Sequence, residues 1–493
     1  MPTPVQESTT VPRPRDTERA RMPDAALPRI IQGGMGAGVS GWRLARAVAR
    51  TGQLGVVSGV ALDALLARGL QTGDEGGHLR RALAHLPLPG VAERILERYF
   101  VPGGIEPGRR FRPVPKLGLR PNRTRDELTV AGNFAEVWLA KQGHGGPVGV
   151  NYLEKIQLAT PAAAYGAMLA GADYVLMGAG IPSEIPALLD ALAAGSPGKV
   201  TVDVAGAAEG RPFAFDPASL APPGTEAPRP RFLAIVSSPV LAMYLHRSPA
   251  TRPDGFVLES AVAGGHSAPP RGRLRLDENG EPVYGKRDRI DPAKVAALGL
   301  PFWLAGGHAR PGAPDEARSA GAAGVQAGSV FALSRESGLD PELRRRLVAR
   351  ALDGTLRVRN DPRASSTGFP FKVAELPGTL SDPDVHAARP RLCDLSYLRT
   401  PYLKPDGTVG YRCPAEPVDA YVRKGGAAED TTGRRCLCNG LVANTGRGQH
   451  RPDGYTEPPL LTLGQDLGFL PELVRAAGAD YSAADAVDYL LGR

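Results

Sequence analysis

The sequence predicts an α/β protein, a (β/α)8 barrel (TIM barrel) with insertions and an irregular C-terminal extension. Three observations predict it. Short, unbroken apolar runs recur eight times, and helical stretches rich in Ala and Leu follow most of them. Small residues, above all glycine, sit repeatedly just past the runs. Continuous rather than alternating apolar runs are expected of strands buried on both faces. A doubly wound open sheet shares this pattern, and periodicity alone leaves both open.

The runs in chain order are Ile30–Gln32, Leu54–Val57, Val148–Asn151, Tyr174–Met177, Phe232–Val236, Phe256–Leu258, Phe302–Ala305 and Gly324–Ala327. Helices are expected over Trp42–Arg50, Pro161–Ala170, Ile185–Ala194, Val240–His246 and Asp315–Ala320. Proline-rich stretches at 102–121 and 212–230 interrupt the repeat and read as insertions over the barrel mouth or rim. In the second, Lys199–Val204 alternates and is expected to pair with Pro212–Phe215 as a hairpin. The expected insertions therefore span about 100–125 and 199–230. Beyond about residue 375 Pro and Gly dominate and no strand is expected. The domain reading is a tail over 1–27, a barrel over 28–375 and an extension over 376–493. That extension is expected to end in helical turns at Leu470–Ala477 and Ala483–Leu491.

Composition bounds the class. The 493 residues include 61 Gly and 48 Pro, about a fifth of the chain, but 42% are hydrophobic, which argues for a packed core. No apolar run reaches the roughly 18 residues of a membrane span. Residues 1–27 lack the apolar stretch of a secretory signal, so a cytoplasmic location is expected. The net charge of +8 is spread along the chain. No concentrated basic stripe with aromatics appears, so neither nucleic acid nor membrane is an expected partner.

All four cysteines, Cys393, Cys413, Cys436 and Cys438, fall in the extension. A zinc ribbon shows two Cys-x2-Cys knuckles. Here one Cys-x-Cys follows two single cysteines, with 19 and 22 residues between successive sites. Reduced thiols are the expectation, with no metal; a zinc or iron–sulfur interaction module is the rival.

In a parallel barrel the chemistry gathers where strands end. Gly33–Gly38 follows the first strand, Gly306 and Gly307 the seventh, and Gly328 and Ser329 the eighth. Glycine lets backbone N–H groups approach a ligand closely, and loops after strands seven and eight often hold phosphate. Gly306, Gly307, Gly328 and Ser329 thus form the expected phosphate cradle, against the plainer reading that they only make tight turns. His266 follows two glycines past the sixth strand, and an imidazole titrating near neutrality there suits acid–base work. The Ala-Gly-Gly-His sequence occurs at 263–266 and again at 305–308, which makes His308 a neighbour of the cradle.

Together these residues resemble the nitronate monooxygenase (2-nitropropane dioxygenase-like) family of FMN-dependent barrels. The resemblance covers about 28–375. It is carried by Ile31-Gln32-Gly33-Gly34-Met35-Gly36, Gly149-Val150-Asn151, Ala263-Gly264-Gly265-His266, Ala305-Gly306-Gly307 and Gly324-Val325-Gln326-Ala327-Gly328-Ser329. It implies FMN, with phosphate on Gly306, Gly307, Gly328 and Ser329, and Gln326 close by. The ring would lie near Gly34, Met35, Asn151 and Gly264, with Gly36 and Gly265 in the same glycine runs. The implied reaction is oxidation of an alkyl nitronate, or a related carbon acid, by O2. His266 would be general base or would position the anion. The insertions and the long C-terminal extension depart from the family, and so do two local features. Glu259 stands where a Gln is usual, and Ser267-Ala268-Pro269-Pro270 replaces the usual Arg-Gly. Flavin-dependent enoyl-thioester reductases using NAD(P)H share the barrel and the histidine and are the alternative. A nucleophilic-cysteine mechanism of the inosinate dehydrogenase kind lacks its thiol, because no Cys precedes Cys393.

Overall fold

The computed structural model of the chain describes residues 27–493. The expected N-terminal tail lies outside the described residues, apart from Leu27. Eight parallel strands form one sheet: β1 Ile30–Gln32, β2 Gly55–Ser58, β3 Val148–Leu153, β4 Tyr174–Gly178, β5 Arg231–Val236, β6 Gly255–Glu259, β7 Phe302–Ala305 and β8 Gly324–Ala327. Each strand pairs in parallel with its sequence neighbour from β2 round to β8, and β8 pairs with β1. A bridge between Ile31 and Leu54 closes the ring, so the sheet is a barrel and not an open doubly wound sheet. All eight apolar runs are strands of that barrel.

Both faces of the strands are buried, which is why the runs are unbroken. Inside, Ile31, Leu54, Val56, Tyr174, Leu176, Leu233, Val257 and Trp303 form a filled core. The Trp303 indole N–H donates to the Pro28 carbonyl at 2.8 Å, and Leu27 packs against the same cluster. Outward residues such as Ile30, Val175, Phe256, Phe302 and Val325 pack under the helices.

The β1–β2 seam is the weak point of the ring. Its ladder is short, with Gln32 N–H donating to Leu54 O at 2.9 Å and Leu54 N–H to Ile30 O at 3.1 Å. The fully buried Gln32 side chain completes it. Its amide oxygen accepts from Val56 N–H at 2.9 Å, and its NH2 donates to Gly33 O at 2.5 Å and Ser40 Oγ at 2.9 Å. One side chain thus joins β2 to the loop leaving β1.

Helices Trp42–Ala49, Thr160–Leu169, Ile185–Ala193, Pro239–His246 and Ala313–Ser319 match the expected stretches to within two residues. Ser238 caps the fourth, its Oγ accepting from Leu241 N–H at 3.1 Å. Between β2 and β3 lie four helices the sequence reading passes over: Leu62–Gln71, His78–Leu83, Val91–Tyr99 and Arg123–Ala140. All ten residues of Leu62–Gln71 are buried, Asp63, Arg68 and Gln71 included. Its solvent face is absent, so no amphipathic period betrays it. The proline-rich stretch after Tyr99 buries Phe111, Val114 and Leu117, and Arg68 of this helix lies over the Phe111 ring at 5.2 Å. The alternating segment pairs as a hairpin, Gly198–Val202 with Arg211–Phe215.

The expectation that strands vanish beyond 375 is corrected. Thr400–Leu403 pairs with Val409–Arg412 around a Lys-Pro-Asp-Gly turn, in which Gly407 takes a positive φ of 77°. Pro and Asp-Gly here mark a hairpin turn rather than loose chain. A further hairpin, Val358–Asp361 with Phe371–Ala374, precedes it. The helices Leu470–Ala477 and Ala483–Leu491 occur as expected. The latter packs against both Trp42–Ala49 and Ala313–Ser319, the place of the eighth outer helix in a barrel.

Buried polar contacts fasten residues after 389 to the earlier chain. Tyr397 O–H donates to Asp63 at 2.5 Å, and Arg68 donates to the Arg447 carbonyl at 2.6 Å. Arg389 forms a buried bidentate pair with Glu457, at 2.6 and 3.1 Å. Replacing Gln32 with Met keeps the volume but orphans Val56 N–H, while Gly33 O keeps the Ser40 hydroxyl at 3.0 Å. Such an orphaned group costs about 1–3 kcal/mol, and urea denaturation is expected to read a loss in that range.

Candidate active site

Where the barrel strands end, the chain leaves a cavity of about 220 Å3. Strand tips supply its floor: Ser58, Asn151, Gly178, Ile235, Glu259, Ala305 and Gln326. Every site residue expected from the sequence lines it, namely Gly34, Met35, Gly36, Asn151, Gly264, Gly265, His266, Gly306, Gly307, Gln326, Gly328 and Ser329. His308 joins them at the rim, half-buried. Five βα loops are therefore brought to one space, as the barrel topology dictates.

Two glycines show why the loops carry that residue. A methyl on Gly34 would stand 2.5 Å from the Asn151 Cβ, so only bare backbone passes there. Gly306 has φ +85°, and a methyl on it would fall 2.4 Å from Ser260 Oγ. Ser329 is already engaged, its Oγ accepting from Gly464 N–H at 2.7 Å. Its own O–H is left to donate. The Gln326 amide oxygen is buried at the cavity with no hydrogen-bond partner among the described residues.

His266 is held from behind by the hairpin Val358–Asp361/Phe371–Ala374. It bridges to Phe371, whose ring meets the imidazole edge-on at 4.9 Å and 69°. Nε2 lies 2.8 Å from Ser365 Oγ, which in turn is 2.8 Å from Thr367 Oγ1. Burial pushes its pKa from 6.5 down to about 4. The expectation of near-neutral titration is thereby corrected. A dry, apolar-walled ring keeps its proton poorly, so the imidazole is neutral at pH 7 and serves as a hydrogen-bonding group.

Sequence reasoning noticed Glu259 only as an oddity and missed Lys372 altogether. Glu259 is the last residue of β6 and lines the cavity. Burial raises its carboxyl from 4.5 to about 7, with Lys372 opposing the rise. Lys372 is fully buried on the hairpin beside His266. Its Nζ donates to Ala261 O at 2.6 Å and Ser267 Oγ at 2.7 Å. Burial lowers it from 10.5 to about 8, and Glu259 and Glu281 oppose that fall. No periodic or motif signal marks Lys372; only the fold brings it there.

The extension supplies the outer wall. Tyr397, Leu398, Leu437, Cys438, Leu441, Thr462, Leu463 and Asp466 all face the cavity. The sequence reading gave this region no part in the cavity. Its four cysteines meet around a second cavity of about 10 Å3, which they share with Arg399, Glu416 and Arg435. They are free thiols. Burial pushes Cys413 up to about 11 and Cys438 to about 12. Among the described residues no three His, Cys, Asp or Glu are arranged to hold a metal ion. No helix of the described residues is long and apolar enough to cross a membrane.

No protein-family model matches the chain, and no curated protein matches it. Solved structures similar to it include a nitroalkane oxidase from Streptomyces ansochromogenes, at 16% identity and TM-score 0.44, covering 94% of each chain. FabK from Thermotoga maritima is similar at 16% identity and TM-score 0.44, covering 94% of this chain and 91% of that one. The enoyl reductase domain of MlnA from Bacillus amyloliquefaciens is similar at 12% identity and TM-score 0.35, covering 71% and 64%.

The His266 environment has a consequence for stability. Unfolded, the ring takes up a proton below pH 6.5; folded, it does so only below about 4. The unfolded chain therefore binds more protons between those values, and stability falls as pH drops through that window. His266→Gln is expected to flatten the slope of unfolding free energy between pH 6.5 and 4, measured by urea titration at several pH values.

Proposed function

We propose that the protein is an FMN-dependent oxidoreductase that oxidises alkyl nitronates, or a related carbon acid, with O2. The observation that carries this reading is the convergence of glycine-bare strand ends, an orphaned buried amide and a neutral histidine on one cavity. The domain reading, with the barrel over 28–375 as the cofactor-binding unit and 376–493 as its extension, belongs to the same proposal.

The residues present fit the cofactor. The Gln326 amide oxygen lacks a partner and suits a ring or ribityl donor. At Gly34 and Gly306 a side chain would strike Asn151 and Ser260, so these loops bring bare backbone to the cavity. Gly307, Gly328 and the free O–H of Ser329 complete a phosphate cradle with Gly306. Gly34, Met35, Gly36, Asn151, Gly264 and Gly265 would face the ring. The chemistry supplied by a bound flavin is two-electron oxidation, with O2 as the final acceptor.

The chain's own part is binding, orientation and exclusion of water. A neutral His266, braced by Ser365 and Phe371, offers a hydrogen bond to an anionic substrate without storing a charge in the cavity. The apolar wall of Leu398, Leu437 and Leu441 keeps the alkyl portion dry. That same wall suits an acyl chain, which favours flavin-dependent enoyl-thioester reduction by NAD(P)H as the second reading. The substrate is a small molecule in either case.

A visible spectrum of the purified protein, followed by anaerobic additions, tests the proposal. The expected result is bound FMN, bleached by propyl-1-nitronate and not by NADH or NADPH. Bleaching by a nicotinamide alone selects the reductase. Protein that is colourless and takes up no FMN ends both readings. His266→Ala is expected to keep FMN and to lower kcat/KM for the nitronate about a hundredfold, within the usual range for a positioned acid–base or hydrogen-bonding group.

A further inference from the structure

We infer that Glu259 is the group that takes the proton from a neutral carbon acid in this cavity, with buried Lys372 as its positioning partner. The inference rests on the oxidoreductase reading above and extends it from the preformed anion to the neutral substrate.

The geometry singles out this carboxyl. Glu259 ends β6, so the barrel itself points it at the floor where Gly306 and Gln326 also end. His266, the obvious rival, has Nε2 committed to Ser365 Oγ. Its weak basicity, from burial, suits it to hold an anion rather than to make one. The cavity's other carboxyl, Asp466, sits in the outer wall on the extension.

The charged and titratable groups around Glu259 come from three elements. Lys372 lies on the hairpin, Tyr284 and Glu281 on the segment after His266, and His266 on the loop after β6 itself. Tyr284 O–H donates to Ala268 O at 2.9 Å and accepts from Asn360 at 3.1 Å, so it is held in place as a neutral phenol. Glu281 accepts from Asn360 N–H and from Gln465 and lies near Arg357. That leaves Lys372 as the cation that opposes the effect of burial on Glu259, and its own two acceptors fix where it sits. A carboxyl that ionises near pH 7 is well matched to proton transfer at neutral pH.

The step balances without any further reactant. The α-C–H bond of a nitroalkane breaks, and the proton forms an O–H bond on Glu259. The electron pair stays on the substrate and spreads onto the nitro oxygens, giving the nitronate. Glu259 becomes neutral as the substrate becomes anionic, so no like charges face each other. Lys372 keeps its positive charge behind the site, with Glu281 still acting on it.

The test compares 1-nitropropane with propyl-1-nitronate for wild-type holoenzyme and Glu259→Gln. The substitution is expected to lower kcat/KM for 1-nitropropane at least a hundredfold more than for the nitronate. In the wild type the nitroalkane rate should rise through a pKa near 7, a limb the nitronate profile lacks. Lys372→Met should move that limb up by about one pH unit, a shift that mere loosening of the fold would not produce. Equal losses on both substrates, or no loss, overturn the inference. Wild-type turnover of the nitronate but not of 1-nitropropane overturns it while leaving the proposed function standing. Turnover of neither overturns both.

Discussion

Closure of the barrel at β1–β2 is the constraint on which the rest depends. Three residues of β1 must pair with β8 on one side and reach β2 on the other. The Gln32 side chain supplies what the short ladder cannot, and it fixes Gly33 and Ser40 in the same stroke. The Gly33–Gly38 loop is therefore placed by the closure itself. Without closure the strand tips would not face a common centre, and Gly34 would not lie against Asn151. The cavity is a by-product of a ring being completed.

Much of this was legible in the sequence because buried parallel strands have a simple signature. Eight unbroken apolar runs gave the strands, and glycine at their ends gave the cavity. The harder parts fail for physical reasons. Leu62–Gln71 is buried on every side, and its Asp63, Arg68 and Gln71 look like surface residues until their partners are seen. Those partners, such as Tyr397 and Arg447, are hundreds of residues away. The hairpin at Thr400–Arg412 escapes a pattern reading because its Lys-Pro-Asp-Gly turn resembles the Pro- and Gly-dominated chain around it. Lys372 sits in the run Phe-Lys-Val-Ala, where a buried lysine leaves no pattern. His266 was readable as a position, but its protonation was not, because that depends on the apolar surroundings the fold assembles.

The site also illustrates a division of labour set by burial. A single dry environment moves an imidazole down, a carboxyl up and an ammonium down. The carboxyl and the ammonium are thereby drawn toward neutrality, while the imidazole is carried away from it. The result is a cavity whose histidine is neutral at pH 7 and whose carboxyl ionises near it. Leu398, Leu437 and Leu441 of the extension close the cavity from outside, so the cysteine-bearing segment helps to form that environment.

The pairing of Asp63 with Tyr397 and of Arg68 with the Arg447 carbonyl has a bearing on how the chain is made. During synthesis the helix Leu62–Gln71 emerges more than three hundred residues before the groups that satisfy it. Until then a buried carboxyl and guanidinium must remain hydrated, and the helix cannot settle. All eight barrel strands are made by residue 327, so the ring is complete in sequence before this helix meets its last partners. A chain cut short of Tyr397 would thus carry every barrel strand and still leave Asp63 and Arg68 without these partners.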